Sequence, residues 1–236
     1  MRCMKEKPLL TDGKGNTKTA KNSLRTYYLS LQPTDLNSKK ENLCKFSTKE
    51  CREMCLQFAG RQSFDNVVKS RTRKTELLVN SPAEFMRRLW NELEDLNNKG
   101  ERCAVRLNLL SDVNWDVQFI LHLQKDMSKL SNIQFYDYTK DHLKICMNVP
   151  INYNFTYSYS GSNWKWCEIF LSNKKANVAV VFKDEIPKTW RGYPVINGDL
   201  SDERFLDPKG VIVGLKYKTP KGVKYTKNKF VIDEKV

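Results

Sequence analysis

Residues 103–109, CAVRLNL, and residues 133–138, IQFYDY, flank the segment NWDVQFILHLQKDMS at 114–128. The two flanking segments are rich in apolar, β-branched and aromatic residues and predict strands. The segment between them has apolar residues at 117, 120 and 121, the spacing of an amphipathic helix. A strand, a helix and a second strand in this order predict a right-handed βαβ unit with two parallel strands.

The same alternation continues on both sides of this unit. Further strands are predicted at 26–31, 154–159 and 177–182, and further helices at 47–59, 64–79, 82–97 and 164–171. Pro82 is a first-turn proline after a Ser81 cap, which marks the start of one of these helices. We therefore expect an α/β fold with a mainly parallel sheet or a partial (β/α) barrel, followed by a short-stranded C-terminal extension.

Three segments divide the chain. Residues 1–24 are polar over most of their length, with Gly and Lys but no apolar period after residue 10, and predict a mobile basic arm. Residues 25–187 predict the α/β core. Residues 188–236 carry short strands and turns and predict an extension packed on that core, because no flexible linker precedes them.

Composition indicates in which compartment of the cell the protein is located and to which class of proteins it belongs. The chain has 236 residues and seven cysteines, an odd number that argues against a disulfide framework and favours free thiols or metal ligands. Its longest apolar run, residues 178–182, is far shorter than the roughly 20 residues that span a bilayer. The N-terminus lacks the apolar stretch of a secretory signal. We expect no contact with membranes and a cytoplasmic location.

Positive charge is concentrated at both ends of the chain. The net charge is +14; residues 1–80 hold 17 Lys and Arg against 8 Asp and Glu, and residues 151–236 hold 15 against 9. Such ends favour binding of nucleic acid through its phosphates, and Trp164-Lys165-Trp166 offers rings on which bases stack. The alternatives are that the lysines serve solubility and that the rings fill the core.

Cys44, Cys51 and Cys55 form the sharpest local pattern, with six and then three residues between them. On a helix over 47–59, Cys51 and Cys55 lie one turn apart, and Cys44 can fold back from the preceding loop. Three thiolates suit an iron–sulfur cluster or zinc and leave one coordination position open for catalysis. We therefore predict that Cys44, Cys51 and Cys55 are metal ligands and form the cofactor-binding site.

An ordinary core helix explains the same cysteines. Cys51, Met54, Cys55 and Phe58 stand at i, i+3, i+4 and i+7, the stripe of a core-facing helix, and free cysteine is a commonly buried residue. On this alternative the protein is a non-catalytic accessory protein that binds nucleic acid and has structural cysteines.

Asp112 and Lys140 are the candidate catalytic residues. Each follows a predicted strand, and parallel α/β sheets place their ligand-binding groups at the C-terminal edge of the strands. The alternatives are that Asp112 caps the helix predicted from 114 and that Lys140 is simply solvated.

Several of these segments resemble a known family in their order and spacing. The three cysteines with Gly60-Arg61, then Arg106-Leu107-Asn108 with Ser111-Asp112, then FYDYTK at 135–140 resemble the phage proteins called gene product 88. The resemblance covers residues 25–160, and residues 198–215 look like the C-terminus of a phage protein. It implies a location in the host cytoplasm.

That family is distantly similar to radical-SAM-type barrels, in which a cysteine triad after the first strand holds a [4Fe–4S] cluster. The resemblance thus implies that Cys44, Cys51 and Cys55 are cluster ligands. Radical-SAM enzymes space the triad by three and two residues and put an aromatic residue beside the last cysteine, whereas Leu56 follows Cys55 here. Binding of S-adenosylmethionine (SAM) is therefore left open.

Overall fold

A computed structural model describes residues 6–15, 19–219 and 225–233. Within these ranges the strands are β1 (Thr11–Asp12), β2 (Arg25–Tyr28), β3 (Cys103–Arg106), β4 (Ile133–Thr139), β5 (Tyr153–Ser158), β6 (Val178–Phe182), β7 (Thr189–Trp190), β8 (Tyr193–Asn197), β9 (Ile212–Lys216) and β10 (Val231–Ile232). They form one sheet in the order β1-β2-β3-β4-β5-β6-β9-β8-β7, and β10 pairs with β6.

Most neighbours in this sheet are parallel. β1 pairs antiparallel with β2, and β7 pairs antiparallel with β8, while every other pairing is parallel. In register, Tyr27 lies beside Val105, which lies beside Phe135. The predicted α/β class with a mainly parallel sheet is confirmed, and the sheet does not close into a barrel.

Helices follow β2, β3, β4 and β5 and connect each of them to the next parallel strand, as crossover connections usually do. In the described residues they are α1 (Lys49–Glu53), α2 (Asp65–Asn80), α3 (Pro82–Asn98), α4 (Trp115–Leu123), α5 (His142–Cys146) and α6 (Trp164–Ser172). Pro82 is the first helical residue of α3, as the sequence predicts. None of these helices is long and apolar enough to cross a membrane.

The main core lies between α3, α4 and one face of the sheet. Helix α3 buries an apolar stripe that includes Phe85, Leu89 and Trp90. Phe85 stacks on Trp115 of α4 at 6.0 Å between ring centroids, and Trp90 meets Phe119 edge-on at 5.1 Å. These ring contacts join α3 to α4 over the face of the sheet that carries Val105 and Phe135.

Two predicted helices are shorter than expected. The helix predicted over 47–59 is wrong beyond residue 53: Thr48 caps α1 by accepting a hydrogen bond from the Cys51 N–H, and Cys55 is already in extended conformation. The helix predicted over 114–128 ends at Leu123, because Gln124 takes a left-handed conformation with φ 55°. A residue of that conformation commonly ends a helix.

The predicted N-terminal arm and the predicted C-terminal extension both contribute strands to the sheet. In the described part of segment 1–24, Leu9 and Leu10 are buried, their N–H groups donate to the Glu92 carboxylate at 2.7 and 2.8 Å, and β1 pairs with β2. Residues 1–5 and 16–18 of the predicted arm lie outside the described residues. In segment 188–236, β9 lies between β6 and β8. The division into three segments stays a prediction.

Replacing Leu89 by alanine tests the core between α3 and the sheet. Leu89 is fully buried, so its truncation is expected to lower the free energy of unfolding by about 2–5 kcal/mol through lost burial and a residual cavity. Leu121→Ala is the control, because Leu121 on α4 is 70% exposed and its loss should cost less than about 0.5 kcal/mol. Urea unfolding measures both, and equal losses would contradict this description of the core.

Candidate functional site

A cavity of about 1090 Å³ opens at the C-terminal edge of the parallel strands. It is lined by residues that end or follow four neighbouring strands, namely Ser30 after β2, Asn108 after β3, Lys140 after β4 and Ser158 at the end of β5. This volume is slightly above the usual range of about 300–1,000 Å³ for small-molecule pockets. The cavity is therefore the candidate functional site.

The three predicted cysteines all line this cavity. They lie on the connection between β2 and α2, with Cys44 before α1, Cys51 within it and Cys55 after it. All three thiols are free and half-buried. The Cys44 thiol donates to the Leu110 carbonyl at 3.2 Å, which holds the start of the connection against the loop after β3.

The short helix α1 is held at the edge of the sheet by its first turn. Thr48 donates to the carbonyl of Ser160 at 3.2 Å, which fixes the N-terminus of α1 at the edge of the sheet near β5. The chain then leaves the helix at Met54. As placed, no three His, Cys, Asp or Glu side chains in the described residues form a group that could hold a single metal ion.

Burial opposes ionisation of two of the three thiols, Cys44 and Cys55. Desolvation raises the pKa of Cys44 to about 12 and also raises the pKa of Cys55. Two cations face these groups: Arg71 lies near Cys55, and Lys140 lies near Cys51 and Cys44. Burial lowers the pKa of Lys140, but Cys51 and Asp112 outweigh this effect and the net shift is upward. Two cations thus act on the thiols, while Asp112 opposes them at Cys44.

Asp112 and Lys140 are adjacent at this edge, but Asp112 is held by an ion pair. Its carboxylate accepts from the Lys144 ammonium at 2.7 Å, from the Thr139 hydroxyl at 2.8 Å and from the Lys140 N–H at 2.9 Å. The alternative that Asp112 caps α4 is wrong, because the cap position is Asn114. Asp112 instead joins the loops after β3 and β4, and a catalytic role for either residue stays a prediction.

The sequence did not indicate two cavity residues on α2. Arg71 and Lys74 line the cavity although each is only 3% exposed. Basic residues are ordinarily assigned to the solvent face of a helix, and here they occupy its buried face with Thr75 and Val79. One signal in the sequence could have indicated them. Val67, Ser70, Arg71 and Lys74 follow helical spacing on the side of α2 that lines the cavity, and only one of these four residues is apolar.

The aromatic pair on α6 packs against other rings. Trp164 meets Trp190 edge-on at 5.1 Å, and Trp166 stacks on His142 at 4.3 Å. Arg191 lies over the Trp164 ring at 4.6 Å. Both tryptophans are half-buried in these contacts, and neither lines the cavity.

A family model described as gene product 88 matches residues 8–234. The chain belongs to the gene product 88 family. The match spans the cysteine connection and every strand from β1 to β10, so the phage family expected from the sequence is confirmed over more of the chain than the resemblance covered. No curated protein and no solved structure matches the chain.

The ion pair between Asp112 and Lys144 at the edge of the cavity is expected to stabilise the fold of this gene product 88 family member. Lys144 has a side chain that is only 2% exposed, so Asp112→Asn would leave a buried charge without its partner. We expect a loss of about 3–5 kcal/mol, partly recovered when Lys144→Met is added. Asp95→Asn on exposed α3 surface is the control. Urea unfolding measures the free energy of unfolding of these variants. If the double variant recovers none of the lost stability, the result would contradict the role of this pair.

Proposed function

We propose that the protein binds an iron–sulfur cluster, of the [4Fe–4S] type, through Cys44, Cys51 and Cys55. The observation that carries the proposal is that the three thiols line one cavity at the C-terminal edge of a parallel sheet. Thiolate sulfur is the donor that holds such clusters. Ligands at this edge are the general rule in open α/β sheets.

A cluster and a single ion place different demands on the three thiolates. Zinc holds each thiolate about 2.3 Å from one centre, and in the described ranges no three possible ligands form a group of that kind. In a cluster each thiolate binds a different iron atom, so the sulfur atoms stay farther apart. Zinc is the alternative, and metal analysis distinguishes the two.

The charges around the thiols support an anionic centre. Metal binding requires the thiolates, whose formation burial opposes at Cys44 and Cys55. Lys140 and Arg71 favour the negative form from two sides. A cluster with three protein ligands leaves one iron open and supplies one-electron chemistry at that position.

The chain's own residues have separate roles in this proposal. The Asp112–Lys144 pair holds the loops after β3 and β4, and Lys140 remains a charged hydrogen-bond donor beside the thiols. Resemblance of the family to radical-SAM-type barrels makes SAM the ligand to test at the open iron. A radical-SAM-like enzyme is the reaction class that SAM binding would support.

Iron content tests the cluster. Anaerobically purified or reconstituted protein is expected to be brown and to carry about four iron and four sulfide per chain. Cys44→Ser, Cys51→Ser and Cys55→Ser should each lose most of the iron, because a ligand is removed. Two controls should keep it: Cys103→Ser, buried in the sheet, and Cys146→Ser, exposed on α5.

The outcomes separate the alternatives. A colourless wild type without iron after reconstitution would contradict the cluster, and stoichiometric zinc would favour the other metal. Equal iron loss in all five variants would mean that iron is not bound at the triad. Equilibrium dialysis of the iron-loaded protein with SAM tests the open iron, and SAM bound equally without iron would count against that position.

Binding of nucleic acid through the basic ends is a second candidate function. One observation favours it: basic residues from both ends of the chain line the same cavity and are exposed there. These are Arg52 and Arg61 from the basic stretch 1–80 and Lys216 and Lys218 from the basic stretch 151–236. On this alternative the protein is a non-catalytic accessory protein.

Salt dependence tests this second function. Each phosphate contact with a single strand contributes about −0.7 to the slope of log affinity against log salt concentration. The triple variant Arg61→Gln, Lys216→Gln, Lys218→Gln should therefore flatten the slope by about 2. The control, Lys99→Gln, Lys129→Gln, Lys175→Gln, removes the same charge at exposed positions outside the cavity. Equal slopes in both variants, or no binding at low salt, would contradict the proposal.

A further inference from the structure

Two buried cations face the cavity from one side of α2. Arg71 and Lys74 are each 3% exposed. The Arg71 guanidinium donates to the side chain of Gln32 at 2.8 Å and to the backbone carbonyl of Gln62 at 3.1 Å. The Lys74 ammonium donates to the Thr11 hydroxyl at 3.2 Å. All of these acceptors are neutral.

The other buried basic residues in the described ranges have carboxylate partners. Lys144 pairs with Asp112 at 2.7 Å and Arg204 pairs with Asp207 at 3.3 Å. Buried charges in proteins are generally paired, because an unpaired charge loses its hydration without compensation. Arg71 and Lys74 therefore depart from the pattern that the rest of this chain follows.

Nearby acidic groups do not supply the missing partner. Glu92 acts on Lys74 from a distance, but its two carboxylate oxygens accept from the N–H groups of Leu9 and Leu10. Asp12 lines the same cavity and pairs with Arg25 at 2.6 Å. The neighbouring Arg73 adds positive charge, and burial lowers the pKa of Lys74 to about 8.

We propose that Arg71 and Lys74 bind the oxyanion of a small molecule, a phosphate or carboxylate group, on the α2 wall of the cavity. Arginine presents a planar fork and lysine a point charge, and both are common ligands of such groups. A bound oxyanion supplies the charge that the protein itself does not place there.

Two further observations point to an anionic ligand. The Ser30 hydroxyl lines the cavity, is buried and has no hydrogen-bond partner. The cavity lining contains eight Lys and Arg against four Asp, so its formal charge favours anions. The site shares Arg71 with the surroundings of the proposed cluster, because Arg71 also faces Cys55. For that reason the test uses Lys74.

The experiment measures binding of inorganic phosphate and of acetate by calorimetry and thermal unfolding, at matched ionic strength in sodium chloride. Wild type should bind at least one of them saturably and gain thermal stability. Lys74→Met should weaken that binding at least tenfold. Its melting temperature without ligand should equal or exceed that of wild type, because an unpaired buried charge is removed.

Two controls fix the interpretation. Lys69→Met removes an exposed charge from the same helix and should keep wild-type affinity, whereas Lys74→Arg keeps the charge and should bind within a few-fold of wild type. If Lys74→Met does not fold, Lys74→Gln takes its place. Binding of phosphate alone assigns a phosphate ligand, and binding of acetate alone assigns a carboxylate.

Other results would overturn the proposal. Neither anion binding saturably, or equal affinity in wild type and Lys74→Met, would mean that Lys74 is a structural residue. The cluster is tested separately: Lys74-dependent anion binding that persists in the iron-free Cys51→Ser variant supports the anion site whether or not the cluster proposal holds.

Discussion

Parallel pairing of β2, β3, β4, β5 and β6 makes the loops that follow these strands leave the sheet at one edge. The cysteine connection follows β2, Asp112 follows β3, and Lys140 follows β4. Residues far apart in sequence therefore line one cavity without any local motif that joins them. The Asp112–Lys144 ion pair then fixes two of these loops relative to each other.

The strands and the crossover helix of the central unit were predictable in type and order because their local sequence preferences agree with their structures, although the helix ends at Leu123. Residues 103–106 and 133–138 are β-type segments that are buried on a parallel sheet, and α3 begins at the proline that marks it. The end of α1 was not predictable from its capping signal. Thr48 caps the start of this helix, but nothing local in the sequence specifies the extended conformation at Cys55.

The site was predictable in part. Strand order placed the candidate residues Asp112 and Lys140 at one edge, and the cysteines line the same cavity. Arg71 and Lys74 were missed because helical patterning assigns basic residues to solvent, while these two face an internal cavity. Leu9 and Leu10 were missed for a related reason: their backbone partner is Glu92, some eighty residues away in sequence, and such a contact leaves no local pattern.

Helix α2 connects the two proposed sites. Lys74 lies three positions after Arg71, a rise of about 4.5 Å along a helix, and Arg71 faces Cys55. A molecule whose oxyanion is held at Lys74 therefore lies within about one helical turn of Arg71, the residue that faces the cysteine connection. Anchoring by a group that does not react is a common way in which enzymes orient the reacting part of a substrate. If both proposals hold, the anion site positions a small molecule beside the open iron, and the length between its oxyanion and its reacting atom becomes the main determinant of specificity.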